Sequence, residues 1–259
     1  MVKQGFSQEK LDKAKDTAKI SIALSQEIIN PTTLMWQLQL EENAIFTQEV
    51  NNNFTQNFRI RLVIPIEKGI LIKVPQLIRV IGYINTDAYH TTGLGDLAIN
   101  QFFILLKKKW GAFGAGWDLN IPTGTPKELS SNQFSIGPST TLNFSNLGKW
   151  QVYFVWQNYF SISKNKEYDS HQTSIIQPNI FYTYSNVTYI FTEPLWTYDY
   201  INKTWTVPLN IRFGYVFQTK KYKYNVYIEP EWMTYRSEGA VTNNNNSGMK
   251  FGFRIFFDE

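Results

Sequence analysis

From residue 32 onward the chain alternates apolar and polar positions with a period of two, the repeat of an extended strand whose faces meet different surroundings. In TLMWQLQLEE, Leu34, Trp36, Leu38 and Leu40 share one face, while Met35, Gln37, Gln39 and Glu41 share the other. In FTQNFRIRLVI, Phe58, Ile60, Leu62 and Ile64 alternate with Asn57, Arg59, Arg61 and Val63, so two arginines stand inside an otherwise apolar strand. The same reading predicts twelve strands, over 32–45, 53–66, 70–82, 95–106, 110–123, 132–145, 149–162, 173–184, 187–198, 204–216, 222–234 and 247–257. That is roughly 19 residues for each strand with its connection, enough for the 9–11 residues that cross a bilayer at a tilt.

The connections carry independent information. The gaps at 46–52, 83–94, 124–131, 163–172, 199–203 and 235–246 are mostly long and polar, whereas those at 67–69, 107–109, 146–148, 185–186 and 217–221 are short. Strict alternation of long and short connections is the pattern of a transmembrane up-and-down barrel, with short turns at the periplasmic end and loops outside. The chain is therefore expected to be all-β: an antiparallel transmembrane barrel of about twelve strands at 32–259, both termini periplasmic. Trp36, Trp110, Trp150, Trp196, Trp205 and Trp232 fall near strand ends, where amphipathic rings favour the membrane interface; Trp117 and Trp156 lie nearer mid-strand. A soluble barrel is the competing reading, but twelve strands would enclose more volume than the Val, Ile and Leu present could fill.

Upstream the period changes. In QEKLDKAKDTAKISIALSQEII, residues 8–29, Leu11, Ala14, Ala18 and Ile22 recur at helical spacing, and Pro31 ends the pattern. A short N-terminal helix in a segment 1–31 is expected, as an inward plug, a periplasmic helix or a disordered tail. Its weak apolar stripe argues against burial in lipid, and the short link to the first strand favours a position at or inside the periplasmic mouth.

Composition removes most other classes. No apolar run approaches the length of a membrane-spanning helix. With no cysteine, disulfide frameworks, thiolate metal sites and thiol catalysis are excluded, and only His90 and His171 could serve a metal centre, so no metal and no cofactor are expected. The net charge of +4 is scattered rather than clustered, which argues against nucleic acid. MVKQGFSQEK has no apolar h-region, so no signal peptide is expected within these residues.

By alternation, Gln37, Gln39, Glu41, Arg59, Arg61, Lys73, Arg79, Asp96, Asn100, Asp118, Asn120, Gln157, Tyr159, Gln177, Asn179, Glu193, Asn210, Arg212, Glu229, Glu231, Lys250 and Arg254 point inward. Turned toward lipid, each Arg or Lys near mid-bilayer would cost about 2–4 kcal/mol, so the polar face requires a wet or ion-paired lumen. The expected lining and constriction are Arg59, Arg61, Lys73, Arg79, Asp118, Glu193, Arg212, Glu229, Glu231 and Arg254, with a basic cluster of Arg59, Arg61 and Arg212 opposed by Glu193, Glu229 and Glu231. A charge-lined path for small polar solutes and a self-neutralised, purely structural lumen both fit this pattern. Catalysis is not expected. Asp169, Ser170 and His171 stand side by side in a loop, where adjacent residues rarely converge on one reacting atom, and GLGDL at 93–97 opens no helix that could hold a phosphate.

An ordered series of motifs carries a resemblance: NPTTLMWQLQLEEN (30–43), RLVIPI (61–66), TTGLGDLAINQFF (91–103), WDLNIPTGT (117–125), QFSIGPSTTL (133–142), IIQPNIFYTY (175–184), TWTVPL (204–209) and FGFRIFF (251–257). Together they resemble bacterial outer-membrane proteins often labelled "neuromedin U", within the wider group of β-barrel porins named after phenol-degradation operons. The resemblance implies a Gram-negative outer-membrane channel for small solutes, in contact with outer-membrane lipid and lipopolysaccharide and inserted by the barrel-assembly machinery. A structural or adhesion barrel, and a soluble ligand-binding barrel, are the alternatives.

Overall fold

A computed structural model describes residues 25, 26, 28, 30, 32–46, 54–67, 72–162, 172–185, 187–239 and 247–257. They form one closed antiparallel barrel of twelve strands. In chain order these are β1 (Trp36–Phe46), β2 (Phe54–Ile66), β3 (Gln76–Thr86), β4 (Leu97–Lys108), β5 (Gly111–Ile121), β6 (Ser135–Leu147), β7 (Trp150–Ser161) and β8 (Gln172–Thr183). Two interrupted strands follow, β9 (Thr188–Thr192 with Trp196–Asp199) and β10 (Thr204–Asn210 with Arg212–Gln218), then β11 (Tyr222–Arg236) and β12 (Ser247–Phe257). A three-residue strand, Thr92–Leu94, folds back on β3 before β4 begins. Each strand pairs with its neighbours in the chain, and β12 pairs with β1 from Trp36↔Phe257 to Phe46↔Ser247, which removes every free edge.

The facing follows the alternation. Gln37, Gln39 and Glu41 are buried while Ile60, Phe154, Leu209, Phe213, Ile228 and Phe251 are exposed on the outer wall. Arg212 and Glu229, at 1% and 0% exposure, are among the most buried side chains, so the soluble arrangement is inverted: charge inside, hydrocarbon outside. Trp110 and Trp150 flank short turns on the outer wall, and Trp156 also faces outward although it lies at mid-strand.

Short turns gather at one end, at 109–110, 148–149, 184–187 and 219–221, together with Trp36 and Phe257. Gly148 takes a left-handed φ of 67° in the β6–β7 turn, a conformation a β-carbon would strain. Two expectations change here. Strand β3 begins at Gln76 rather than residue 70, because the ladder starts only after Pro75, whose carbonyl accepts from Ile104 N at 2.8 Å. The β2–β3 connection is therefore 67–75 rather than 67–69. At the opposite, loop end, the β9–β10 connection is tight, with Asp199 Oδ1 accepting from Ile201 N at 2.8 Å and Asn202 N at 3.1 Å.

The interruptions in β9 and β10 also trace to proline. Flanking pairs Thr192↔Ile180 and Trp196↔Ile176 put Pro194 opposite Pro178, so neither side can donate. Ile211, between the halves of β10, lies opposite Pro230 and keeps only its own donated bond, Ile211 N to Pro230 O at 3.1 Å. Asn210 fills the resulting gap. Its side-chain oxygen accepts from Glu193 N at 2.8 Å and its amide donates to Glu193 O at 2.9 Å, replacing two missing ladder bonds.

Most of the predicted helix 8–29 lies outside the described residues. Ser25, Gln26 and Ile28 are described, with helical backbone. Ile28 is buried among Met35, Tyr153, Phe181, Tyr189, Phe191, Val216 and Phe256 at the turn end of the lumen, and Gln26 donates to the Gly148 carbonyl at 2.8 Å.

Candidate functional site

Alternation along the strands brings nine of the ten expected lining residues to the inner wall: Arg59 and Arg61 on β2, Arg79 on β3, Asp118 on β5, Glu193 in the β9 interruption, Arg212 on β10, Glu229 and Glu231 on β11, and Arg254 on β12. Lys73 does not join them. It precedes β3 in the 67–75 connection and is exposed at the turn end, because the strand start moved past it.

Nor do the charges segregate into the expected basic and acidic sets. Arg212 sits inside the acidic group: its Nε donates to Glu229 Oε2 at 2.5 Å and its Nη2 to Glu193 Oε2 at 2.7 Å. Lys250 continues the chain, bonding Glu229 Oε1 at 3.0 Å and Glu231 Oε2 at 2.8 Å, while Asn210 donates to Glu229 Oε1 at 2.7 Å. Lys250 is the direct cross-strand neighbour of Glu229, whereas Asn210, in register with Glu231, reaches Glu229 two residues along the same face of β11. Arg59 pairs with Glu41 instead, and Glu41 also accepts from Tyr227 and, at 3.1 Å, from Gln39. Asp118 is held by neutral amides, Asn100 at 2.7 Å and Gln157 at 2.9 Å.

Tyr227 is the residue that sequence reading missed. A tyrosine in an aromatic-rich strand reads as part of an interfacial girdle, yet its parity with Asn225 and Glu229 puts it inside. Its ring lies 3.9 Å from the Arg212 guanidinium carbon and 5.1 Å from that of Arg254. Room for it comes from Gly252 directly across on β12, where an added β-carbon would stand 1.9 Å from the ring. Tyr189 and Gly214 repeat the device between β9 and β10. Glu41 and Lys250, both on the inward face by alternation, prove as central as the residues singled out.

Among the described residues, three cavities lie in series along the lumen. The outermost, about 280 Å³, is bounded by Asp96, Asn120, Ser131 and Ser135 at the loop end. It shares Tyr83, Tyr159 and Ile175 with a middle cavity of about 240 Å³. That one in turn shares Arg61, Arg79, Gln177 and Glu193 with an inner cavity of about 60 Å³, which Ile28, Asn30 and Thr33 bound at the turn end. The path tapers from the loops toward the turns, and its waist is charged.

At the outer rim, Asp96 ties down the 122–134 loop. Its carboxylate accepts from Ser130 Oγ at 2.6 Å, Ser131 Oγ at 2.5 Å, Ser131 N at 2.9 Å, Gly124 N at 3.1 Å and Asn120 Nδ2 at 3.0 Å. Burial disfavours its charge, but the hydroxyls of Ser130 and Ser131, the Asn120 amide and the Ser131 N–H outweigh that and hold the carboxyl below its ordinary value. Of the two histidines, His90 sits in the loop after β3, its ring edge-on to Phe54 at 6.3 Å. His171, with Asp169 and Ser170, lies outside the described residues.

No family model matches the chain, and no curated protein matches its sequence. Among solved structures, a COG4313 outer-membrane channel from Pseudomonas putida F1 superposes with a TM-score of 0.66 at 13% identity, over 88% of this chain and 99% of that one. The NanC porin follows with a TM-score of 0.60 at 11% identity, over 86% and 100%. The KdgM porin, solved in complex with disordered oligogalacturonate, has a TM-score of 0.54 at 12% identity, over 86% and 99%. At these identities the likeness is one of fold, and the chain has the fold of twelve-stranded outer-membrane channels.

Proposed function

We propose that the chain is a bacterial outer-membrane channel of porin type, passing small solutes passively through its charge-lined lumen. The observation that carries this reading is the series of three cavities, each sharing wall residues with the next, inside a barrel whose outer face is apolar. A wall of hydrocarbon side chains and a lumen of ion pairs suit a cylinder standing in lipid with water at both mouths. The porin and channel neighbours support the same assignment, and they favour a non-enzymatic role. On the ordered motifs, the chain belongs with the "neuromedin U"-labelled porins. Its partners on this reading are outer-membrane phospholipid, lipopolysaccharide, the barrel-assembly machinery and the solutes themselves.

The N-terminal segment 1–31 acts as a partial plug at the periplasmic mouth, a placement supported by Ile28 in the apolar cluster and Gln26 on the Gly148 carbonyl. Conductance in a planar bilayer tests the whole proposal. Discrete openings are expected, with selectivity moving toward cations in the Arg59→Gln, Arg61→Gln double variant and toward anions in Glu229→Gln, Glu231→Gln. A folded barrel with no conductance would leave the structural or adhesion role as the better account.

A further inference from the structure

We propose that the waist between the middle and inner cavities is a recognition point for one carboxylate group, carried by a solute with a compact apolar body. This deepens the channel reading and rests on it for the solute's route. Among the described residues, the charged side chains that line the two cavities, with those directly hydrogen-bonded to lining residues, are six cations and five carboxylates. One positive charge is left over.

The contacts show where that charge sits. Arg59 holds Glu41, and Arg212 and Lys250 between them hold Glu193, Glu229 and Glu231. Arg61 and Arg254 make no ion pair with any described carboxylate. Arg61 reaches the Gln39 side-chain oxygen at 3.3 Å, and the Nε atoms of both arginines are buried without an acceptor. Arg254 is only 6% exposed, and both residues line the inner cavity, with Arg61 lining the middle one as well.

A guanidinium removed from water and left without an anion is costly, and its planar fork of donors matches a carboxylate. A monoanion at the waist would balance the surplus; a dianion would overshoot it and a cation would add to it. Apolar side chains interrupt the polar walls on either side of the waist: Val63, Leu77, Val155 and Phe191 on the inner side, Ile81, Ile175 and Leu195 on the middle side. They suit a hydrocarbon body attached to the anionic head.

Equilibrium dialysis of the folded full chain in detergent tests this with labelled pentanoate, against 1-pentanol, pentylamine, acetate and inorganic phosphate. Saturable binding of one pentanoate per barrel is expected, weakened about tenfold or more in Arg61→Gln and in Arg254→Gln, with partial recovery in Arg61→Lys. Heat-modifiable migration on a gel reports that each variant has folded, and Arg61→Gln decides the question if Arg254→Gln does not fold. Pentanoate binding no tighter than 1-pentanol would overturn the anion site, and acetate or phosphate binding as tightly as pentanoate would overturn the apolar half of the proposal. Full binding in the folded Arg61→Gln variant would also overturn it. Binding without conductance would remove the channel and leave the site, whereas conductance without saturable binding would remove the site and leave the channel.

Discussion

Asn210 shows how far a single side chain's role can lie from its residue type. By alternation it is an inward polar residue, one more group on a wet wall, yet it stands in for backbone where the β9–β10 ladder fails opposite proline. Asn210→Ala takes the side-chain partner from the Glu193 N–H and C=O, while Glu229 Oε1 keeps Lys250, and the loss costs on the order of 1–3 kcal/mol for each buried group left unsatisfied. The variant should therefore unfold at lower urea in a heat-modifiability assay, while Gln37→Ala, which breaks no ladder substitute, should be close to the parent. Asp96 is the second residue-scale test. A carboxyl held below its ordinary value stabilises the loop above the usual carboxylate range, and the effect is lost as pH falls through the folded value. The protection of the Gly124 and Ser131 amides, both donors to Asp96, measured against intrinsic exchange at each pH, should be high at neutral pH and fall in strong acid, and Asp96→Asn should flatten that dependence.

At the scale of the strand, what could be read in advance was parity. The period of two assigned an inward or outward face to Gln37, Arg59, Asp118, Glu229 and Arg254 alike, because a half-exposed strand has only two faces and a slip by one would bury every polar group in lipid. Strand ends were less legible, since prolines act through the partner strand. Pro75 set the start of β3 and excluded Lys73, and Pro178 and Pro230 act on the strands beside them, with Pro194 adding to the break within β9 itself. The pairing of charges was not legible at all, because it depends on register: Arg212 meets Glu229 rather than its fellow arginines only once β10 and β11 are aligned. Facing predicts a sharp contrast at one point in β2. Leu62→Arg should lower barrel stability by about 2–4 kcal/mol, as an arginine turned to lipid near mid-bilayer does, while Arg61→Leu should insert normally. Denaturation in lipid vesicles compares the two, and equal tolerance would put the facing out by one residue.

For the whole molecule, the two ends of the cylinder differ in the lengths of their connections, and that asymmetry orients it. A cysteine at Tyr89, 79% exposed in the loop after β3, should react with an impermeant maleimide on intact cells, and one at Lys149 in the β6–β7 turn should not. The opposite labelling would invert the barrel. The N-terminal segment was the least legible part, since a weak helical stripe says nothing about what covers it; Ile28 found its place among Met35, Val216 and five aromatic side chains contributed by β7, β8, β9 and β12.

The closing pair, Trp36 beside Phe257, has a topological corollary. Strands β1 and β12 are related to one another as any two adjacent strands are, and differ only in lacking a covalent link. The order in which the strands occur along the polypeptide is thus incidental to the finished wall. Joining residue 257 to residue 32 through a short spacer and opening the chain at the β6–β7 turn would give a rearranged gene whose product assembles the same cylinder. In such a permutant Ser25, Gln26 and Ile28 would no longer lead into β1, so the side chain that fills the apolar cluster at the turn end could be supplied, or withheld, as a separate part.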